Sequence, residues 1–481
     1  MRKPFYLTTT LPYVNADPHI GFALEIVQAD IIARYRALCG DEVFFNTGTD
    51  EHGLKIQRNA AAANKVTQDY VDEFAARFQM LKGRLNLYPE LHFIRTTDAH
   101  HKLAAQEFWK RCVAAGDIYK KSYSIKYCVG CELEKTDSEL IEGKCPLHPN
   151  LTIELIDEEN YFFKWSKYQQ PLLDMYAARP DFVVPDYRFN EIKAFIERGL
   201  EDFSISRLKS KMSWGIEVPD DSEQVMYVWF DALINYVSTL GWPEDTERFE
   251  KFWGTIDVPN AIQMAGKDNL RQQSAMWQAM LMSVGLPNTK QIAIHGFITS
   301  EGKKMSKSLG NVIDPIAIVD EYGADALRIF LARHVHPFED SDFTMVKFKE
   351  SYNADLANGI GNLAARIMTL AQNNLPAPVE RPASVPFAKK YTDALDNYDY
   401  NAAADFIWQQ ISTLDARLTT EKPFAVIKTD PEKGKSLIAE CVIELYQIAR
   451  LLQPFMPTTS DAIKAAVLAN KKPTNLFPRK E

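Results

Sequence analysis

The chain has 481 residues, 46% of them hydrophobic and 11% aromatic, which excludes a disordered or low-complexity protein and suits about three domains at ~150 residues each. A formal net charge of −9 excludes nucleic-acid binding through a global basic field, so such a partner must meet a local basic patch. No run approaches the ~18 apolar residues that span a bilayer, and "MRKPFYLTTTLPYV" holds no long apolar signal region, so a cytoplasmic location is expected.

The β-branched and aromatic run "FYLTTT" predicts a strand, broken by the turn chemistry of "NADP". Leu24, Val27, Ile31, Tyr35 and Leu38 then recur at three- and four-residue steps, the apolar stripe of a helix that ends at Gly40, with Asp17 and Pro18 as its expected cap and first position. "DEVFFNTG" reads as the next strand, completing a β-α-β unit with a right-handed crossover and a parallel sheet. Ligands of such sheets sit at the carboxyl ends of the strands, beside helix N-termini. His19 and "TGTDEHG" (Thr47 to Gly53) are therefore expected beside one crevice.

Next in the chain, Cys128, Cys131, Cys145 and His148 form C-x2-C-x13-C-x2-H. Two closely spaced ligand pairs are what a tetrahedral zinc ion needs, and four filled positions make one closed, structural Zn2+ site. A redox Cys-x-x-Cys would leave the third cysteine and the histidine unexplained. Cys39, Cys112 and Cys441 are isolated and expected to be buried.

After this insertion the runs "AIQMAG" and "QIAIHGF" resume a buried-strand pattern. The expected fold class is α/β, a Rossmann-like parallel-sheet domain in two halves, 1–115 and 229–300, split by a zinc-binding insertion at 116–228. Residues 301–350 form a lysine-bearing loop and linking subdomain, and 351–481 a helix bundle interrupted by "LPAPVERPASVP".

The loop "EGKKMSKSLGN" (Glu301 to Asn311) taken alone reads equally as a solvated turn. Its position directly after "QIAIHGF" places it at the ligand end of the sheet, where mobile ammonium groups suit a polyphosphate and flanking glycines let a loop close. "PHIG" (Pro18 to Gly21) offers an imidazole donor to a phosphate oxygen and a glycine that a flat ring can approach. In the bundle, "NADLANGIGNLAARI" puts Asn362 and Arg366 on one helical face.

"TLPYVNADPHIG", "FFNTGTDEHG", "SISR" (Ser204 to Arg207), "YVWFDA" (Tyr227 to Ala232), "GKD" (Gly266 to Asp268) and "KMSKSLGN" follow one another in an order that resembles the class I aminoacyl-tRNA synthetases of the methionyl type, over nearly the whole chain. The resemblance implies a methionine–tRNA ligase: ATP, with Mg2+, activates methionine to methionyl-adenylate, pyrophosphate leaves, and the aminoacyl group passes to the 3′ end of tRNA(Met). It implies His19, Lys304 and Lys307 as catalytic groups on the phosphates, and Pro18, Gly21, Gly266, Asp268 and Ser306 as further ATP contacts. Asp50 would engage the α-ammonium of methionine. Leu11, Tyr13, Trp229, Ala232, Tyr236 and Trp277 would surround the thioether, with Arg207, Leu233, Asn269 and Gln273 beside them. Asn362, Arg366 and Phe424 would read the anticodon by edge hydrogen bonds and stacking.

The sequence departs from the family at Phe22, where a second histidine is usual, at Leu233 (proline), Asn269 (aliphatic) and Gln273 (histidine), and at Phe424, where tryptophan is common. Activation is expected to survive these changes, because the rest of the constellation is present. Leucyl, isoleucyl and valyl enzymes carry an editing insertion larger than 116–228, and cysteinyl enzymes place a zinc ligand near the first strand. A non-catalytic paralogue that binds tRNA would have no need of Lys304 and Lys307, and a small-substrate nucleotidyltransferase no use for the bundle. The chain ends at "LFPRKE" without a further domain, so a monomer is expected.

Overall fold

The computed structural model describes residues 2–131, 133–135, 139–305 and 310–480. Two compact units emerge: the first comprises 1–18, 41–80 and 90–294, the second 19–40, 81–89 and 295–481.

The first unit is built on a six-stranded parallel sheet. Its strands are β1 (Pro4–Thr9), β2 (Glu42–Thr49), β3 (His92–Arg95), β4 (Val183–Val184), β5 (Ala261–Gly266) and β6 (Gln291–His295), in the spatial order β3-β2-β1-β5-β6-β4. β1 runs parallel to β2 and β5, with Leu7 opposite both Phe45 and Ile262. β5 is buried at every position and β1 at every position but the first, as expected of a sheet covered on both faces. The core beside it is aromatic: Trp277 stacks on Phe108 at 5.8 Å and meets Trp253 edge-on at 6.1 Å. Within 116–228 the long antiparallel pair Ile118–Cys128 and Glu154–Phe163 carries the cysteine loop at its tip. The same stretch also supplies β4, an edge strand of two residues that pattern reading does not anticipate.

The second unit opens with helix α1 (Ile20–Leu38). Leu24, Val27, Ile31 and Tyr35 are buried as the stripe predicts, whereas Leu38, in the last turn, is 43% exposed. The helix starts two residues later than expected. His19, not Asp17, is its N-cap: the ring Nδ1 accepts the Gly21 N–H at 3.0 Å, while the Asp17 carboxylate pairs with Arg77. At the other end Cys39 closes the helix and is exposed rather than buried, because the chain turns out through Gly40 at φ +94°. Inside the unit Arg328 is fully buried, bonded to Asp30 of α1 at 2.6 Å and to the carbonyls of Pro454 and Phe455. A charge so deep is tolerated because each face of the guanidinium fork has an acceptor. The C-terminal helices include α2 (Asn362–Asn374), α3 (Tyr400–Glu421), α4 (Pro423–Thr429), α5 (Pro431–Leu452) and α6 (Pro457–Ala469), with a shorter helix, Lys389–Asp396, between α2 and α3. α2, α3, α4 and α6 all pack against α5.

Candidate functional site

In the second unit the two separated signatures meet. The Ile20 N–H donates to the Ile313 carbonyl at 3.0 Å, and a Cβ on Gly21 would lie 3.9 Å from Cε of Met305. The same Cβ would stand 2.9 Å from Cε1 and 3.0 Å from Nδ1 of His19. A side chain at position 21 would therefore first displace the folded-back imidazole, an effect distinct from blocking the approach of an outside ring. Desolvation lowers the His19 pKa, and Nδ1 accepts the Gly21 N–H, so the neutral ring carries its proton on Nε2, ready to donate. The backbone of Lys303–Lys304 forms an antiparallel pair with Ile298–Ser300, Lys304 opposite Thr299. The Lys304 side chain, Ser306 and Lys307 lie outside the described residues. Glu25 of α1 binds Nε2 of buried His295 at 2.9 Å and the Gly296 carbonyl takes Nδ1 at 2.7 Å, which fixes the end of β6 where the loop departs.

The amino-acid side gathers in the first unit. Val14 N–H to the Asp50 carbonyl (3.1 Å) and Asp50 N–H to the Pro12 carbonyl (3.0 Å) zip the segment of Leu11 and Tyr13 to the end of β2. The Asp50 carboxylate is buried. Arg207 donates to Ser204 Oγ (2.6 Å) and the Ser206 carbonyl (2.7 Å) and lies 4.1 Å over the Tyr227 ring, joining "SISR" to "YVWFDA". Tyr236, Gln273 and Trp277 come together: the Gln273 amide N donates to the Tyr236 hydroxyl at 2.6 Å, and the Tyr236 and Trp277 rings meet edge-on at 5.9 Å. Among the described residues Gln273 Oε1 and the indole N–H groups of Trp229 and Trp277 are buried without a partner. Ala232 and Leu233 are buried beside them in the chain. Gly266 ends β5, and Asp268, exposed, follows in the turn with Asn269, whose amide points back at its carboxylate at 3.4 Å.

At the tip of the long hairpin the four expected metal ligands converge, their donor atoms all within 4.8 Å of one another. Cys131 Sγ lies 3.3 Å from Cys145 Sγ and 3.2 Å from His148 Nδ1, and Cys128 Sγ 3.8 Å from the same nitrogen. The edge of a tetrahedron built on a ~2.3 Å zinc–sulfur bond is ~3.8 Å, so the donor set fits that ion. Burial and the adjacent thiols push the Cys131 thiol up to about 12, whereas hydrogen bonds from Cys131 and from backbone N–H groups lower that of Cys145 despite its burial, so Cys145 is the thiol that ionises more readily of the two. A Cβ on Gly130 would lie 2.4 Å from the His148 ring, so a larger residue there would displace that imidazole from the cluster.

In the bundle Asn362 opens α2 and is exposed, Arg366 is 40% exposed and bonded to Asp415 at 2.6 Å, and Phe424 on α4 is 44% exposed. All three side chains are thus at least partly exposed and accessible to a partner.

Sequence reading missed a buried chain of polar groups in the first unit. His52 Nδ1 and His101 Nε2 bind the two oxygens of Asp231 at 2.6 and 2.9 Å, and His101 Nδ1 meets Ser238 Oγ at 2.9 Å. Despite full burial, which alone would raise it, the two imidazoles hold the Asp231 carboxyl down at about 2. Partners 130 and 179 residues apart leave no local signal.

The family model of class I (M) tRNA synthetases matches residues 5–153 and 149–368. The methionine–tRNA ligase of Thermosynechococcus vestitus is 43% identical over 481 residues, covering 96% of this chain and 90% of that protein. That of Thermotoga maritima is 39% identical, covering 98% and 76%. Among solved structures, the Mycobacterium tuberculosis methionyl-tRNA synthetase bound by methionyl-adenylate superposes with a TM-score of 0.90 at 35% identity, over 99% of this chain and 100% of that one. No described helix is long and apolar enough to cross a membrane.

Proposed function

The chain belongs to the class I (M) tRNA synthetase family, the methionine–tRNA ligases, and from that premise we infer how its own residues divide the work. ATP and methionine react to give methionyl-adenylate and pyrophosphate, and the aminoacyl group is then transferred to the 3′ end of tRNA(Met). The observation that carries this reading is the end-to-end likeness to a structure holding methionyl-adenylate, at 35% identity.

In the first step a methionine carboxylate oxygen attacks the α-phosphorus, and the bond to the bridging oxygen of the departing pyrophosphate breaks. Little covalent help is needed; preplaced donors stabilise the charge that builds on the phosphate oxygens, each by about 3 kcal/mol. His19 Nε2–H, Lys304 and Lys307 supply them, with Ser306 and Pro18 as neighbouring contacts. Asp268 takes the ribose hydroxyls beside Gly266. Asp50 holds the α-ammonium, whose positive charge a buried carboxylate favours. Tyr236, Leu11, Tyr13, Trp229, Ala232 and Trp277 enclose the thioether, with Arg207, Leu233 and Asn269 behind them. The amide of Gln273, occupied with Tyr236, sets the direction of the phenol. Asn362, Arg366 and Phe424 receive the anticodon. Cys128, Cys131, Cys145 and His148 hold a structural Zn2+ that fixes the hairpin tip and takes no part in the chemistry, all four positions being filled by protein. ATP enters as its magnesium complex, and the protein acts as a monomer in the cytoplasm.

Amino-acid-dependent exchange of pyrophosphate into ATP, measured with each of the twenty amino acids, tests this. Exchange with methionine above all others is expected; exchange with none, or with another amino acid, overturns it.

A further inference from the structure

Asp231 is buried completely, is ionised at any ordinary pH, and faces two imidazoles and no Lys or Arg among the described residues. Keeping a carboxylate in such a place is expensive for the fold unless its hydrogen bonds hold something else in register. What they hold can be read from the chain. His52 stands two residues after Asp50, on the loop that leaves β2. Asp231 lies between Trp229 and Ala232, on the helix Val228–Leu233. His101 is in the helix Ala99–Ala114, and through Ser238 it reaches the short helix Asn235–Ser238 that carries Tyr236. Three segments that present pocket side chains thus share a single carboxylate. The outer face of His52 is closed by Trp214, ring to ring at 5.7 Å, whose indole N–H donates to the Glu51 carbonyl at 2.6 Å.

The bond pattern also places one proton on each ring. An ionised carboxylate only accepts, so His52 carries a proton on Nδ1 and His101 one on Nε2, while His101 Nδ1 faces the Ser238 hydroxyl, which also lies 3.4 Å from the Asn235 carbonyl.

We propose that Asp231 is a positioning residue for the amino-acid substrate, a buried anchor that sets Asp50 against the walls bearing Trp229 and Tyr236 through His52 and His101. This rests on the pocket assignment made above. It acts on the amino acid and not on the nucleotide, because its partners lead to that side.

The test uses side chains that keep or drop a single donor in place. Asparagine reproduces the Nδ1 donor of histidine, and glutamine its Nε2 donor. His52→Ala is expected to raise KM for methionine about tenfold or more in pyrophosphate exchange, with KM for ATP within about twofold, and His52→Asn to restore it to within about threefold. His101→Ala and His101→Gln form a second pair with the same expectation. Equal behaviour of each alanine variant and its isostere, a parallel rise in both KM values, or failure of both alanine variants to fold would overturn the proposal, since each would show a merely structural role. Absence of methionine-dependent exchange in the unaltered protein would instead sink the functional reading.

Discussion

At single positions, close geometry makes the sharpest demands. Gly21→Ala would place a methyl 2.9 Å from the His19 ring, which must then swing away from the Gly21 N–H. Methionine-dependent exchange should fall about 10- to 10²-fold, the scale of one lost oxyanion donor, with thermal stability nearly unchanged. The cap itself illustrates where sequence reading fails. Asp17 is the better cap by residue type, but Arg77 claims its carboxylate, and the imidazole two positions later accepts the Gly21 N–H and starts the helix there. No property of residues 17 to 21 alone decides between them. Asp231 gives a second expectation. Its folded pKa of about 2 lies below the usual 3.8, so the stabilisation is full above about pH 4 and lost as pH falls through about 2. By ~1.4 kcal/mol per unit this is about 2 kcal/mol. Urea denaturation of the protein and of Asp231→Asn should show a gap of that order at pH 7 that narrows as pH falls below about 4.

Among elements, the hairpin tip is the part most legible from sequence, because two ligand pairs at knuckle spacing admit few structures and the donors do converge. Gly130→Ala or Cys131→Ser should release the metal, measured as zinc per chain, and acidification should do so too, since protons compete for thiolates. Helix α1 and strands β1, β2, β5 and β6 were likewise readable from apolar period and turn chemistry. β4 was not: two residues carry no period, and their place is decided by pairing with β6. The His52–Asp231–His101 chain was hidden for a related reason, each member being unremarkable within its own element. In the bundle the Arg366–Asp415 ion pair is exposed and so weakly held, and on the proposed reading Arg366 exchanges Asp415 for a base edge. Arg366→Ala should lower kcat/KM for charging tRNA(Met) by ~1 to 3 kcal/mol while pyrophosphate exchange stays the same.

For the whole molecule, the family assignment was within reach of the sequence because six short motifs occur in one order, and the comparisons with relatives at 43% and 39% identity agree with it. Side-chain roles were less accessible. Gln273 can address a substrate carboxylate by its chemistry alone, but that one of its amide N–H groups donates to the Tyr236 hydroxyl, 37 residues earlier, has no local signal. The central claim is that this chain joins methionine to AMP and then hands it to tRNA. The direct measurement is a single turnover with α-phosphate-labelled ATP and methionine, without tRNA and with pyrophosphatase present. The account predicts about one labelled methionyl-adenylate per protein, discharged to free AMP and methionyl-tRNA when tRNA(Met) is added. Label that stays in ATP, or an adenylate that tRNA(Met) does not discharge, would contradict it.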